Sequence, residues 1–130
     1  MSLSASPVSV STSPGRRLRV GIVGGVERTA VQLERAAESL GCSLEYHGGH
    51  TKGRGASALD ALIRRVDVVV ILTDVNSHNA VTQARRAALS AKRPHVLLRR
   101  MSPGRLGALV SVMLAQGQVS ADAVLSAEVS

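Results

Sequence analysis

A chain of 130 residues is one domain on the length prior, and with Phe and Trp absent its core must be built from Val, Leu, Ile and Ala. Tyr46 is the sole aromatic, so the stacking platforms that hold single-stranded nucleic acid are missing. The lone cysteine, Cys42, excludes an internal disulfide and a multi-thiolate zinc site, and no run approaches the ~18 apolar residues of a membrane span.

Met1 to Pro14 is Ser-rich, without the basic region and sustained apolar stretch of a secretory signal, and residues 1–17 read as a disordered Ser/Pro-rich leader. Leu18 to Val23 forms the first predicted strand and ends in Gly24-Gly25. From Thr29 to Leu40 the apolar positions Val31, Leu33, Ala36, Ala37 and Leu40 have helical spacing, and Gly41 is a helix stop. Ser43 to Tyr46 is a short second strand, and Ser57 to Arg65 repeats the helical pattern. Val66 to Leu72 is the strongest strand signal, a nearly unbroken β-branched run of the kind buried on both faces of a parallel sheet. Ser77 caps a helix that carries Ala80, Val81, Ala84, Ala87, Ala88 and Leu89. Pro94 to Leu98 is a fourth strand, and Ser102-Pro103 opens a helix that ends near Met113 or Leu114.

Strand and helix alternate four times, which predicts an α/β fold: a small Rossmann-like three-layer sandwich around a four-stranded parallel sheet of order 2-1-3-4. Residues 18–116 make the single domain, and the tail from 117 to 130 reads either as a further helix or as a disordered end.

In such a sheet the ligand crevice lies at the carboxyl ends of the strands. That rim collects Gly24, Gly25 and Arg28 after strand one, and His47, Gly48, Gly49, His50 and Thr51 after strand two. It also collects Thr73, Asp74, Asn76, Ser77, His78 and Asn79 after strand three, and Arg99 and Arg100 after strand four. Three of the four histidines, His47, His50 and His78, therefore share one rim with Asp74, a donor set suited to a transition metal or a haem iron. The turn at residues 21–25 has the spacing G-x-x-G-G rather than the dinucleotide fingerprint, and the acid expected after it falls at Glu45. It suits an anion at a helix N-terminus, with Thr51, Thr73, Asn76, Ser77, Asn79 and one of Arg99 and Arg100 completing the site. A formal charge of +7 and a pI near 11.3 favour an anionic partner or a solvated basic surface. The basic pairs Arg64-Arg65, Arg85-Arg86 and Lys92-Arg93 fall on or just after helices and read as that outer surface.

At these loops the chain resembles the bacterial domain-of-unknown-function family 2325. The resemblance rests on Ile22-Val23-Gly24-Gly25, His47-Gly48-Gly49 and Thr73-Asp74-Val75-Asn76-Ser77-His78-Asn79, and covers roughly residues 18 to 114. Some members look like haem-associated, redox-responsive proteins with cysteines near the Ser-His motif and in the following helix. Here Val75 or Asn76 and the Ala87 to Ser90 stretch stand at those places, so the resemblance implies a histidine-based site without the thiol switch.

The leading expectation is a non-enzymatic cytoplasmic ligand-binding or sensor domain holding haem or a transition metal through His50 and His78, with His47 beside them. Asp74 then orients an imidazole, and Arg100 holds a propionate or other anion. The alternative is nucleotide or phosphometabolite binding at Gly24-Gly25 with Arg99 or Arg100; a third is an enzyme with His78 as general base. The partner is a small molecule or a metal. Nucleic acid is not favoured, because no helix-turn-helix or aromatic platform is present. A membrane is not expected, and a homodimer covering an open sheet edge is compatible with four strands. A reducing compartment, most simply the cytoplasm, suits one free thiol.

Overall fold

A computed structural model describes residues 17–25, 27–49, 53–74 and 76–129. The expected leader up to residue 16 and two expected site residues, His50 and Thr51, lie outside the described residues. Strands and helices alternate as β1 (Arg19–Val23), α1 (Glu27–Leu40), β2 (Ser43–His47), α2 (Gly55–Arg65), β3 (Val68–Leu72), α3 (His78–Ser90), β4 (His95–Leu98) and α4 (Pro103–Gln116), followed by α5 (Ala121–Val129). The four strands form one parallel sheet in the order β2-β1-β3-β4. Its switch point, between β1 and β3, is where the sequence order predicts it.

Strand alternation divides the core in two. Val20, Ile22, Val68, Val70, Leu72, Val96 and Leu98 point to one face, where they pack with Leu33 and Ala37 of α1 and with Leu106, Leu109 and Met113 of α4. Val23, Val69 and Ile71 point to the other, against Leu59, Leu62 and Ile63 of α2 and Ala80, Ala84 and Ala88 of α3. All five residues of β3 are buried, as its unbroken Val-Val-Val-Ile-Leu run requires. The four-residue spacing of the alanines lays small side chains along one stripe of α3, which lets that helix lie close to the sheet.

Several boundaries differ from the sequence reading. The apolar run begins at Val66, but β3 begins at Val68, because Val66 closes α2 in extended backbone and Asp67 ties the turn to β1. The Arg19 amide donates to the Asp67 carboxylate at 2.8 Å, and the Asp67 amide donates to the Arg19 carbonyl at 2.7 Å. Residues 121–129 form α5, whose Val124 is fully buried in the α1/α4 core. An Arg105–Glu128 ion pair of 2.8 Å joins α5 to α4. Among the described residues no single helix is long and apolar enough to cross a membrane.

Candidate functional site

At the carboxyl edge of the sheet the loops are tied to one another through backbone groups. The Gly24 amide donates to the His47 carbonyl at 2.7 Å, one step beyond the β1–β2 ladder. Gly25 follows with a φ of +90°, a left-handed value that glycine adopts without a Cβ clash, and its carbonyl accepts the Tyr46 hydroxyl at 2.8 Å. Asn76 Nδ2 donates to the last carbonyls of β1 and β3, Val23 at 3.2 Å and Leu72 at 2.7 Å. Its Oδ1 accepts the Ser77 amide at 2.9 Å.

Ser77 is the N-cap of α3: its Oγ accepts the Ala80 amide at 3.0 Å and donates to the Gly49 carbonyl at 2.8 Å. A Cβ on Gly49 would overlap Asn76 Oδ1, so glycine is what lets the β2 loop approach the β3 loop. Asn76 and Ser77, expected to face a ligand, thus hold the rim together.

The described histidines do not meet in one crevice. His47 is buried; its Nδ1 accepts the Gly49 amide at 3.0 Å, so its Nε2 carries the proton and donates to the Gly55 carbonyl at 3.0 Å. His78 begins α3 and, with Asn79, lines a groove between α2 and α3. Asp74 stands across the sheet plane from that groove, among arginines. Among the described residues no group of three or more His, Cys, Asp or Glu side chains is placed to hold a metal ion. The described donors therefore do not fit a haem or a transition metal by themselves: His47 spends both ring nitrogens on backbone, and His78 and Asp74 face different openings.

On the α1 and α4 side of the sheet plane a crevice of about 230 Å³ opens at the switch point, lined by Gly25, Thr29, Leu72, Asp74, Arg99, Arg100 and Met101. Leu72 and Met101 supply buried apolar surface beneath it. Asp74 pairs with both arginines, Oδ1 to Arg99 Nε at 3.5 Å and Oδ2 to Arg100 Nε at 3.1 Å. The Asp74 amide also donates to the Arg99 carbonyl at 3.0 Å, and Arg105 donates to the Arg100 carbonyl at 3.0 Å. One aspartate facing two guanidiniums leaves a net positive crevice. Where alternation led us to expect one inward arginine, both line it. Arg28 and Thr73 are exposed and do not line it.

Glu45, the acid at the dinucleotide-like spacing, points to the α2 side in mid-strand. Its carboxylate accepts from Arg65 Nη2 at 2.6 Å and Nε at 3.0 Å, and from Arg19 at 3.1 Å. The Arg65 hydrogen bond, helped by Arg19 and opposed by partial burial, holds the Glu45 carboxyl below the usual carboxylate range. Sequence reasoning did not find Thr29, Leu72 and the Tyr46 hydroxyl as parts of this rim. Leu72 was legible from period-two alternation with Val70; the Tyr46 contact, 21 residues from Gly25, has no local signal.

A family profile described as "Uncharacterized protein conserved in bacteria (DUF2325)" matches residues 19–111. Among solved structures, the apo-structure of D-lactate dehydrogenase from Escherichia coli is similar over 73% of this chain and 37% of that one, at 12% identity and a TM-score of 0.39. The chain thus spans little more than a third of that enzyme's length, and the likeness is too weak to bear on function. No curated protein matches the chain in sequence.

Proposed function

The chain belongs to DUF2325, a family of uncharacterized proteins conserved in bacteria, and we propose that it is a non-enzymatic domain that binds a small anion in the crevice at its switch point. The observation that carries this reading is the pair of arginines, Arg99 and Arg100, held by one aspartate over an apolar floor beside the Gly24-Gly25 turn. A ligand carboxylate or phosphate competes with Asp74 for the guanidinium forks, which suit either group. The glycine turn comes just before the N-terminus of α1, the end at which a helix dipole favours negative charge.

At about 230 Å³ the crevice is smaller than the roughly 300–1,000 Å³ of drug-sized pockets, so it takes a small metabolite or only the phosphate end of a nucleotide. The ionisable groups that line it are tied to one another, which is a binding arrangement rather than an acid–base one. A cytoplasmic setting belongs to this proposal. Cys42 is buried, and burial pushes its thiol pKa up against the opposing charge of Arg17, so it behaves as a small core hydrophobe.

Thermal unfolding of the full chain with inorganic phosphate, a nucleoside monophosphate, a small dicarboxylate, zinc or ferric haem tests the reading. An anion at about 100 times its Kd stabilises by roughly 2.7 kcal/mol, and Arg100→Ala removes the effect. Asp74→Asn frees both arginines and tightens the anion. Stabilisation by haem or zinc with none from the anions would overturn the proposal and return the site to the histidines.

A further inference from the structure

The structure assigns a second surface, apart from the small-anion crevice: we infer that the α2–α3 layer binds the phosphate backbone of double-stranded DNA. Basic charge is concentrated on one side of the sheet. Arg54, Arg64, Arg85, Arg86, Lys92 and Arg93 lie on or beside α2 and α3, and Asp60 is the only acid of those two helices. On the other side the five acids of α1, α4 and α5 and Asp74 are balanced by Arg17, Arg28, Arg35, Arg99, Arg100 and Arg105. Arg65 is already paired with Glu45, whereas Arg64, Arg85 and Arg86 are exposed and make no ion pair among the described residues. Asp60, which accepts from Gln83 Nε2 at 3.3 Å, is the one acid of these helices set against those cations.

Between the two helices runs an open groove of about 1030 Å³. Its charged side chains are Arg64, Arg86 and the single acid Asp60; Asn79, Thr82, Gln83 and Ser90 are uncharged hydrogen-bonding groups, and its apolar residues are the small Ala87 and Ala91. That composition decides between partners. A protein interface is anchored by aromatic or large aliphatic side chains in a dry centre, and the groove has none. A DNA backbone interface is much more positive than a protein–protein one, and the α2–α3 layer, with Arg54, Arg64, Arg85, Arg86, Lys92 and Arg93 against Asp60, has that excess.

The form of the nucleic acid follows in the same way. Single strands need stacking aromatics, and Tyr46 lies on the opposite side of the sheet with its hydroxyl on Gly25. In B-form DNA the roughly 12 Å major groove admits the edge of a helix such as α3, whereas the A-form major groove is too narrow. The 13 residues of α3 span about 20 Å, a length over which duplex DNA presents on the order of a dozen charges. Contacts of this kind fix no base sequence, so binding is set by salt rather than by site.

The test is fluorescence anisotropy of the full chain with a labelled mixed-sequence duplex about two helical turns long. Neutralising roughly four phosphates gives a log–log salt slope near −3.6 and about a hundredfold loss of affinity between about 50 and 200 mM salt. Arg64→Ala with Arg86→Ala lowers that slope by about 2, and Arg85→Glu, at a fully surface position, weakens binding further without touching the groove wall. Arg17→Ala with Arg35→Ala removes the same charge from the α1 side and leaves the slope unchanged. Equal losses from both double variants would reduce the effect to net charge and overturn the inference. So would absence of duplex binding, or displacement of the duplex by poly-glutamate or by double-stranded RNA as effectively as by DNA.

Discussion

Asn76 joins three strand ends through one side-chain amide. Its Nδ2 serves the terminal carbonyls of β1 and β3, and its Oδ1 positions Ser77, which in turn holds the loop after β2. Asn76→Ala leaves the Val23 and Leu72 carbonyls without that donor and costs about 1–3 kcal/mol, measured as a fall in the urea midpoint at unchanged slope. Asn76→Asp, which keeps the shape but cannot donate when ionised, shows a similar loss at neutral pH. The sequence marks this stretch as special, since a polar seven-residue run after a buried strand calls for an explanation. It does not assign the roles. Asp74 meets Arg99 and Arg100, 25 and 26 residues away, and His47 turns inward to its own loop because Gly49 and Gly55 offer the backbone partners a buried imidazole needs.

The elements follow local rules, and the places where they depart from them are packing events. The Ser77 and Ser102 caps, the proline at the start of α4 and the alternating strand–helix periodicity are all visible in sequence. Ser102→Ala removes the hydroxyl that accepts the Arg105 amide at 3.1 Å and lowers stability by about 1 kcal/mol, read from denaturant unfolding. Gly21 has no such local signature. A Cβ there would stand 2.7 Å from Leu62 Cδ2 and 3.1 Å from both Val66 methyls, so β1 and α2 touch through a missing side chain. Gly21→Ala is therefore an overpacking substitution that costs about 1–3 kcal/mol, and paired with Leu62→Ala it recovers part of that loss in a double-mutant cycle. The helix α5 is ambiguous in sequence, because nine mostly small residues show little periodicity; burial of Val124 against the α1/α4 core accounts for its place.

At the scale of the whole molecule, Glu45 links β1, β2 and α2 through Arg19 and Arg65. Its carboxyl is held low in the folded protein, so its contribution is present above the unfolded value of about 4.3 and is lost as the pH falls through the folded one. Stability of the wild type accordingly drops faster below about pH 4.3 than that of Glu45→Gln, with a difference at neutral pH of about 1 kcal/mol or less for a pair this exposed. Chemical denaturation at a series of pH values checks both the sign and the window; a Glu45→Gln variant that loses stability in parallel with the wild type would remove Glu45 from the acid response.

The sequence by itself determined the succession of elements, the parallel sheet and its order, and the edge at which the loops converge. Hydrophobic period, caps and glycine turns are local, and right-handed crossovers leave few topologies to choose from. Only the tertiary structure decided which side chains on that edge share an opening. Neighbouring residues of a strand point to opposite faces, and each face is then covered by a different pair of helices. The plane of the sheet thus separates His78 from Asp74, brings Arg99 and Arg100 together over Leu72 and Met101, and gathers the net positive charge of the chain into the α2–α3 layer.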